Sequence, residues 1–215
     1  MTGWTRRVLP RRPRRATPAD VDWRTDTFVV VDLETTGLDP RHDQIVSYGA
    51  VIVRDGRVKT SESVYGLVHV PRDVPGSSVK FHGLRTQDLE DAPPLLDCVT
   101  TLDGLIGDHP MVAHCAWVER SFLRRAFRQS YLPFTSSIVD TAALAALVLD
   151  VKLERGQSIS LEYATNALGL PVHSPHHALG DAVTTASLFI ALASQLDRDR
   201  TLTTAALLEM SEAPS

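Results

Sequence analysis

Hydrophobic and polar positions along the chain alternate in two periods, and the switch between them predicts the elements. In "TFVVVDLETTG" the run Phe28 to Val31 is continuously apolar and rich in β-branched residues, the pattern of a buried strand, and it ends in a glycine turn. "QIVSYGAVIV" and "RVKTSESVYGLVHV" flank Asp55-Gly56, a two-residue hairpin signal. Three strands, read as antiparallel, therefore open the domain. Residues 94–108 have a helical period that stops before Pro110, and "MVAH" is a short strand leading into a helix over "AHCAWVERSFLRR". "SIVDTAALAALVLD" repeats strand then helix, "SLEYATNALGL" is a helix stopped by Gly169 and Pro171, and "ALGDAVTTASLFIALASQL" is a long amphipathic helix. From about Asp197 the period fades and the end of the chain is expected to fray. A hairpin sheet followed by strand-helix units implies an α/β domain: a mixed sheet, antiparallel then parallel, flanked by helices.

Composition narrows this to one domain with short extensions, since 215 residues at 43% hydrophobic and 22% charged suffice for a single buried core. The expected division is a basic Arg/Pro-rich arm over 1–25, a domain over 26–196 and a tail over 197–215. Cys98 and Cys115 fall in core-like segments and do not form a disulfide or zinc pattern, which fits a reducing cytoplasm. No apolar run follows the basic start and no membrane-length apolar segment stands out, so a soluble protein without a membrane partner is expected. The net charge is −4, yet six of the 22 Lys+Arg lie in the first fifteen residues, leaving 16 basic against 26 acidic residues, a balance of −10. An arginine and proline arm on an acidic body could grip phosphates, although such arms are often just disordered.

Three groups of residues could carry chemistry. Asp32 and Glu34 are two apart at the end of the first strand, so their carboxylates share a face. Their joint ionisation calls for a cation, most simply a divalent metal; alternatively the pair caps loop N–H groups. Glu119 heads the apolar stripe Phe122, Leu123, Ala126 and Phe127 of its helix and has no charged residue three or four positions away, so it faces inward without a partner on that helix. In "SPHHALGDA", His176 lies on a loop five residues before Asp181 at a helix entry, and an imidazole there can take a proton from water. His173 and His177 compete for that role, and the plain reading of Asp181 is an acid favoured by the helix dipole. Together Asp32, Glu34, Glu119 and Asp181 form a set of four acids with one histidine. Four carboxylates around two divalent ions about 3.5–4 Å apart suit phosphodiester cleavage.

The motifs complete the picture: "DLETTG" and "HHALGDA", in this order, resemble the DEDDh 3′–5′ exonucleases over roughly residues 26–195. That group contains the proofreading epsilon subunit of bacterial DNA polymerase III, ribonuclease T and oligoribonuclease. "VKFHGL" is similar to the family's His-Gly-Ile segment, and "SIVDTAAL" to its Asp-Thr strand end. The resemblance implies a ribonuclease H-like fold and two divalent cations, Mg2+ or Mn2+. Asp32, Glu34 and Asp181 would hold one cation, and Asp32 with the second-motif acid the other. It selects His176 as the general base that activates water to release nucleoside 5′-monophosphates, and assigns contacts with the terminal nucleotide to Thr35, Leu38 and His82. The second motif departs from His-Asn-Ala-x-Phe-Asp: this chain has "HCAWVE", with Cys115 for Asn, Val118 for Phe and Glu119 for the metal-binding Asp. Glutamate keeps the charge but is one methylene longer, which strict octahedral Mg2+ should feel more than Mn2+. Trp117, at a variable position, is read as packing.

The expected activity is a metal-dependent 3′–5′ exonuclease on single-stranded ends, DNA favoured, in proofreading or repair with a possible DNA polymerase partner. Alternatives are an exoribonuclease or oligoribonuclease acting on RNA ends, or an impaired nucleic-acid-binding member in which Glu119 weakens the second metal site.

Overall fold

The computed structural model describes residues 21–154, 156–198 and 201–212. Five strands form one mixed sheet: β1 (Thr27–Thr35), β2 (Ile45–Arg54), β3 (Arg57–Leu67), β4 (Met111–Ala113) and β5 (Ile138–Asp140), in the order β3-β2-β1-β4-β5. The first three pair antiparallel and β1-β4-β5 pair parallel, as the pattern predicts. The β2-β3 turn is set by its two residues. Asp55 has φ 55° and Gly56 φ 64°, the left-handed values that a type I′ hairpin needs.

The helices are α1 (Gly76–His82), α2 (Leu95–Ile106), α3 (Trp117–Gln129), α4 (Thr141–Val148), α5 (Leu161–Ala167), α6 (Ala178–Leu196) and α7 (Thr204–Ser211). They divide between the two sheet faces by the strand period of two. Val29, Val31 and Leu33 of β1 join one core with Leu102 of α2 and Phe122, Leu123 and Phe127 of α3. Phe28 and Val30 join the other with Leu144 of α4, Phe189 and Leu192 of α6, and Leu207 of α7. Because Asp32 and Glu34 follow the even register of Phe28 and Val30, they stand on the α6 face.

Four expectations change. The stretch beyond Asp197 is not a loose end throughout: Thr203 caps α7, and Leu202 and Leu207 are fully buried. Residues 21–25, assigned to the arm, belong to the domain; Trp23 is 1% exposed with its ring edge on Phe189, and Asp22 bridges to Thr203. The rest of the arm, 1–20, lies outside the described residues. The seven-residue α1 is absent from the sequence pattern because it carries no apolar stripe, Ser78 being its buried residue; only Pro75 before it and Gly83 after it, at φ 76°, mark its limits. Finally, α6 is long and apolar enough to cross a membrane, contrary to the expectation that no such segment exists. It packs instead across β1 and β2 as the central helix of the second core, with Ala182, Ala186, Leu188, Phe189, Leu192 and Ala193 buried among the sheet, α4 and α5.

Candidate active site at the carboxyl edge of the parallel strands

Strands β1, β4 and β5 run parallel, so Glu34, His114 and Asp140 all lie at one edge of the sheet, where side chains from several elements can converge. β1 delivers Asp32 and Glu34 on one face. Gly49, the cross-strand partner of Asp32, delivers the third acid indirectly: a Cβ there would stand 2.3 Å from the backbone of Ala178 and Leu179. The bare glycine lets the start of α6 rest directly on the sheet, which sets Asp181, in its first turn, beside the β1 acids. Oxygen atoms of Asp32, Glu34 and Asp181 all lie within 4.8 Å of one another.

Glu119 approaches from α3. It is 3% exposed, and its Oε2 is buried without a hydrogen-bond partner among the described residues. The loop that aims α3 is held by Asp140 at the end of β5, whose carboxylate accepts from the backbone N–H of Cys115 (3.0 Å), Ala116 (3.0 Å) and Ala142 (2.9 Å). His114 is fixed by Thr141 Oγ1 (2.9 Å) and the Ile159 carbonyl (2.8 Å). Cys115 adopts φ 57°, a left-handed value that asparagine tolerates better than cysteine, and its Sγ lies 2.9 Å from Ser158 Oγ.

Burial raises all four acids, and like charges add to the rise in Asp32, Glu34 and Glu119. Burial pushes the Asp32 carboxyl well above its ordinary range, reinforced by the charges of Glu119, Glu34 and Asp181. Burial and then Asp181 push Glu34 up to about 7. Glu119 is pushed up to about 8 by burial, with Asp140 and Glu34 adding to the rise. Burial also raises Asp181, opposed by the backbone N–H of His176 and by the two neighbouring histidines. The charge of Glu119 acting on Asp32, and that of Glu34 acting on Glu119, place the fourth acid in electrostatic reach of the two β1 acids. Such a group is stable in ionised form only beside positive charge.

The two adjacent histidines have different surroundings. His177 caps α6, its Nδ1 accepting from Gly180 N–H at 3.4 Å, and its ring stacks on Tyr65 at 4.4 Å. His176, at φ 61°, donates its backbone N–H to Asp181 Oδ2 at 2.9 Å and keeps its side chain exposed. His173 is exposed as well, with its backbone N–H donating to Thr184 Oγ1 (2.9 Å) further along α6.

Thr35 ends β1 and donates its hydroxyl to the Gly37 carbonyl (2.7 Å), shaping the turn that presents Leu38, which is 64% exposed. Arg125 of α3 supports that turn by donating to the carbonyls of Pro40 (2.6 Å) and Asp43 (3.0 Å). His82 ends α1, accepts from Leu84 N–H (3.1 Å), and has its pKa lowered by burial, opposed by the Thr35 backbone. It therefore sits against the end of β1. Trp117, read as packing, is 51% exposed at the start of α3. Pattern reasoning passed over Gly49, Asp140 and Arg125 as functional supports, because each acts through a backbone approach between segments remote in sequence.

A mixed sheet with an acid cluster at its carboxyl edge defines a hydrolase-like site, and comparison with known proteins gives its class. Residues 29–189 match the family model RNase_T, described as exonuclease, and the chain belongs to that family. It is 31% identical over 180 residues to a PolC-type DNA polymerase III of Thermotoga petrophila, covering 83% of this chain and 13% of the relative. To a DNA polymerase III subunit epsilon-like protein of Rhodobacter capsulatus it is 35% identical over 181 residues, covering 83% and 25%. The chain thus spans a quarter or less of these relatives. Among solved structures, E. coli exonuclease I in complex with a dT13 oligonucleotide superposes with a TM-score of 0.68 at 16% identity, over 81% of this chain and 42% of that one. Exonuclease X in complex with 5′ overhanging duplex DNA superposes with a TM-score of 0.63 at 23% identity, over 84% and 99%. The fold is the ribonuclease H-like fold of DEDDh-type exonucleases.

Proposed function

We propose that this protein is a metal-dependent 3′–5′ exonuclease that hydrolyses terminal phosphodiesters of single-stranded nucleic acid. The observation that carries this reading is the convergence of Asp32, Glu34 and Asp181 within 4.8 Å; Glu119 lies outside that group of three, but its charge reaches Asp32. Hard oxygen donors with mutually raised pKa values fit divalent cations such as Mg2+ or Mn2+. Asp32, Glu34 and Asp181 would hold one, and Asp32 with Glu119 the second. When bound, the cations stabilise the attacking and leaving oxygens of the displacement.

The chain's own residues do the rest. Exposed and anchored at its backbone to Asp181, His176 takes the proton from the attacking water. The new P–O bond forms as the bond to the 3′-oxygen breaks, releasing a nucleoside 5′-monophosphate and a shortened strand. Thr35, Leu38 and His82 surround the end of β1 and contact the terminal nucleotide. DNA is favoured over RNA by the DNA ligands of exonucleases I and X, and a polymerase partner by the polymerase relatives. The two free cysteines, one buried, suit a reducing cytoplasm.

The test is digestion of 3′- and 5′-labelled single-stranded DNA and RNA with Mg2+, Mn2+ or EDTA. Wild type should release 5′-monophosphates from the 3′ end only with metal, and His176→Ala should lose about 100-fold or more in rate. Cleavage in EDTA, or full activity in His176→Ala, would overturn the mechanism. Preferential RNA digestion would move the substrate to RNA ends.

A further inference from the structure

A histidine that takes a proton is usually oriented by a partner on its second nitrogen. His176 has no such partner: among the described residues, neither ring nitrogen forms a hydrogen bond, and only its backbone is tied, to Asp181. Its ring meets one side chain ring, that of Phe81, with centroids 5.8 Å apart and planes at 66°, an edge contact. Phe81 is a large apolar residue left 66% exposed on α1, and it joins none of the hydrophobic cores. The next residue, His82, accepts from Leu84 N–H and lies near the end of β1, which sets the backbone from which Phe81 projects. The neighbouring histidine has a matching support, the Tyr65 ring stacked on His177. Consecutive imidazoles are thus each held by an aromatic ring from a different element, β3 for one and α1 for the other.

We propose that Phe81 is a positioning residue for the exonuclease reaction: its ring is the wall that directs the His176 imidazole toward the acid cluster. This rests on the proposed general-base role of His176. The aromatic edge supplies direction where no acceptor does. Aromatic shape, not apolar bulk, is what the contact requires.

Steady-state cleavage of a labelled single-stranded oligonucleotide by Phe81→Ala, Phe81→Leu and Phe81→Tyr, together with the histidine ring C–H signals in NMR spectra of the full chain, tests it. Phe81→Ala and Phe81→Leu should lower kcat by about 10–100-fold with KM within about twofold, the scale of a misplaced reacting group. Phe81→Tyr should retain wild-type kcat. The His176 ring signals should shift in the alanine and leucine variants while those of His177 stay in place. A raised KM with unchanged kcat would make Phe81 a substrate contact only and overturn the proposal, as would unmoved His176 signals. Failure of the functional reading itself would look different: the wild-type protein would be inactive with either metal.

Discussion

At the scale of single residues, the four acids form a site whose charge is unfavourable by itself. Folded-state pKa values near 7 for Glu34 and near 8 for Glu119 lie above the ordinary carboxylate value, so the native protein binds more protons than the unfolded chain in the interval between. Stability of the metal-free protein is therefore fullest below about pH 4.5 with respect to these groups and declines as pH rises toward 8. Thermal unfolding in EDTA should show this decline, and Mn2+ or Mg2+ should raise Tm more at pH 8 than at pH 6, because cations bind the ionised acids. Glu119→Gln, which keeps the volume and removes the charge, should raise the metal-free Tm at pH 8, by about 2–4 °C per kcal/mol relieved, and reduce the increment from metal. An unchanged metal increment would place Glu119 outside the metal site. Glu119→Asp, shortening the side chain by one methylene, should narrow any preference for Mn2+ over Mg2+ in cleavage rate.

At the scale of elements, the site depends on how close α6 and α3 come to the sheet edge. Gly49→Ala would drive a methyl group into the backbone of Ala178 and Leu179, atoms that cannot rotate away. A loss of about 1–3 kcal/mol in denaturant unfolding is expected, with a greater loss of cleavage because Asp181 moves with the helix. Asp140 plays the same part for α3. Asp140→Ala removes the acceptor of three backbone N–H groups and should cost about 2–4 kcal/mol. Cleavage should fall with it although Asp140 is not among the proposed metal ligands. Wild-type rates in a destabilised Asp140→Ala protein would show that Glu119 needs no such support.

At the scale of the whole molecule, the two ends of the described chain close the second core. Trp23 packs on Phe189, and Leu202 and Leu207 fill the space beside α4 and α6. Leu207→Ala should therefore cost about 2–5 kcal/mol in chemical denaturation, a core penalty and not that of a loose tail. The arginines of the first fifteen residues make a separate whole-molecule prediction. A chain beginning at Val21 should bind single-stranded DNA with a shallower dependence of log affinity on log salt, by about 0.7 for each phosphate that the arm no longer neutralises. Fluorescence anisotropy over a salt series would measure it, and an unchanged slope would remove the arm from the interface.

What the sequence determined by itself was whatever depends on neighbours along the chain. Apolar runs of period two and 3.6 marked the strands and the longer helices, Asp55-Gly56 marked the hairpin, and "DLETTG" with "HHALGDA" marked the family and its candidate acids. The inward face of Glu119 was legible for the same reason, since helical spacing alone placed it at the head of an apolar stripe. Tertiary structure decided what depends on approach between distant segments. Gly49 admitting α6, Asp140 holding the loop before α3, and Phe81 meeting His176 join positions many residues apart, and no local period encodes them. The short helices α1 and α7 were hidden for a related reason: their stability comes from the surfaces they cover and not from a repeat in their own sequence.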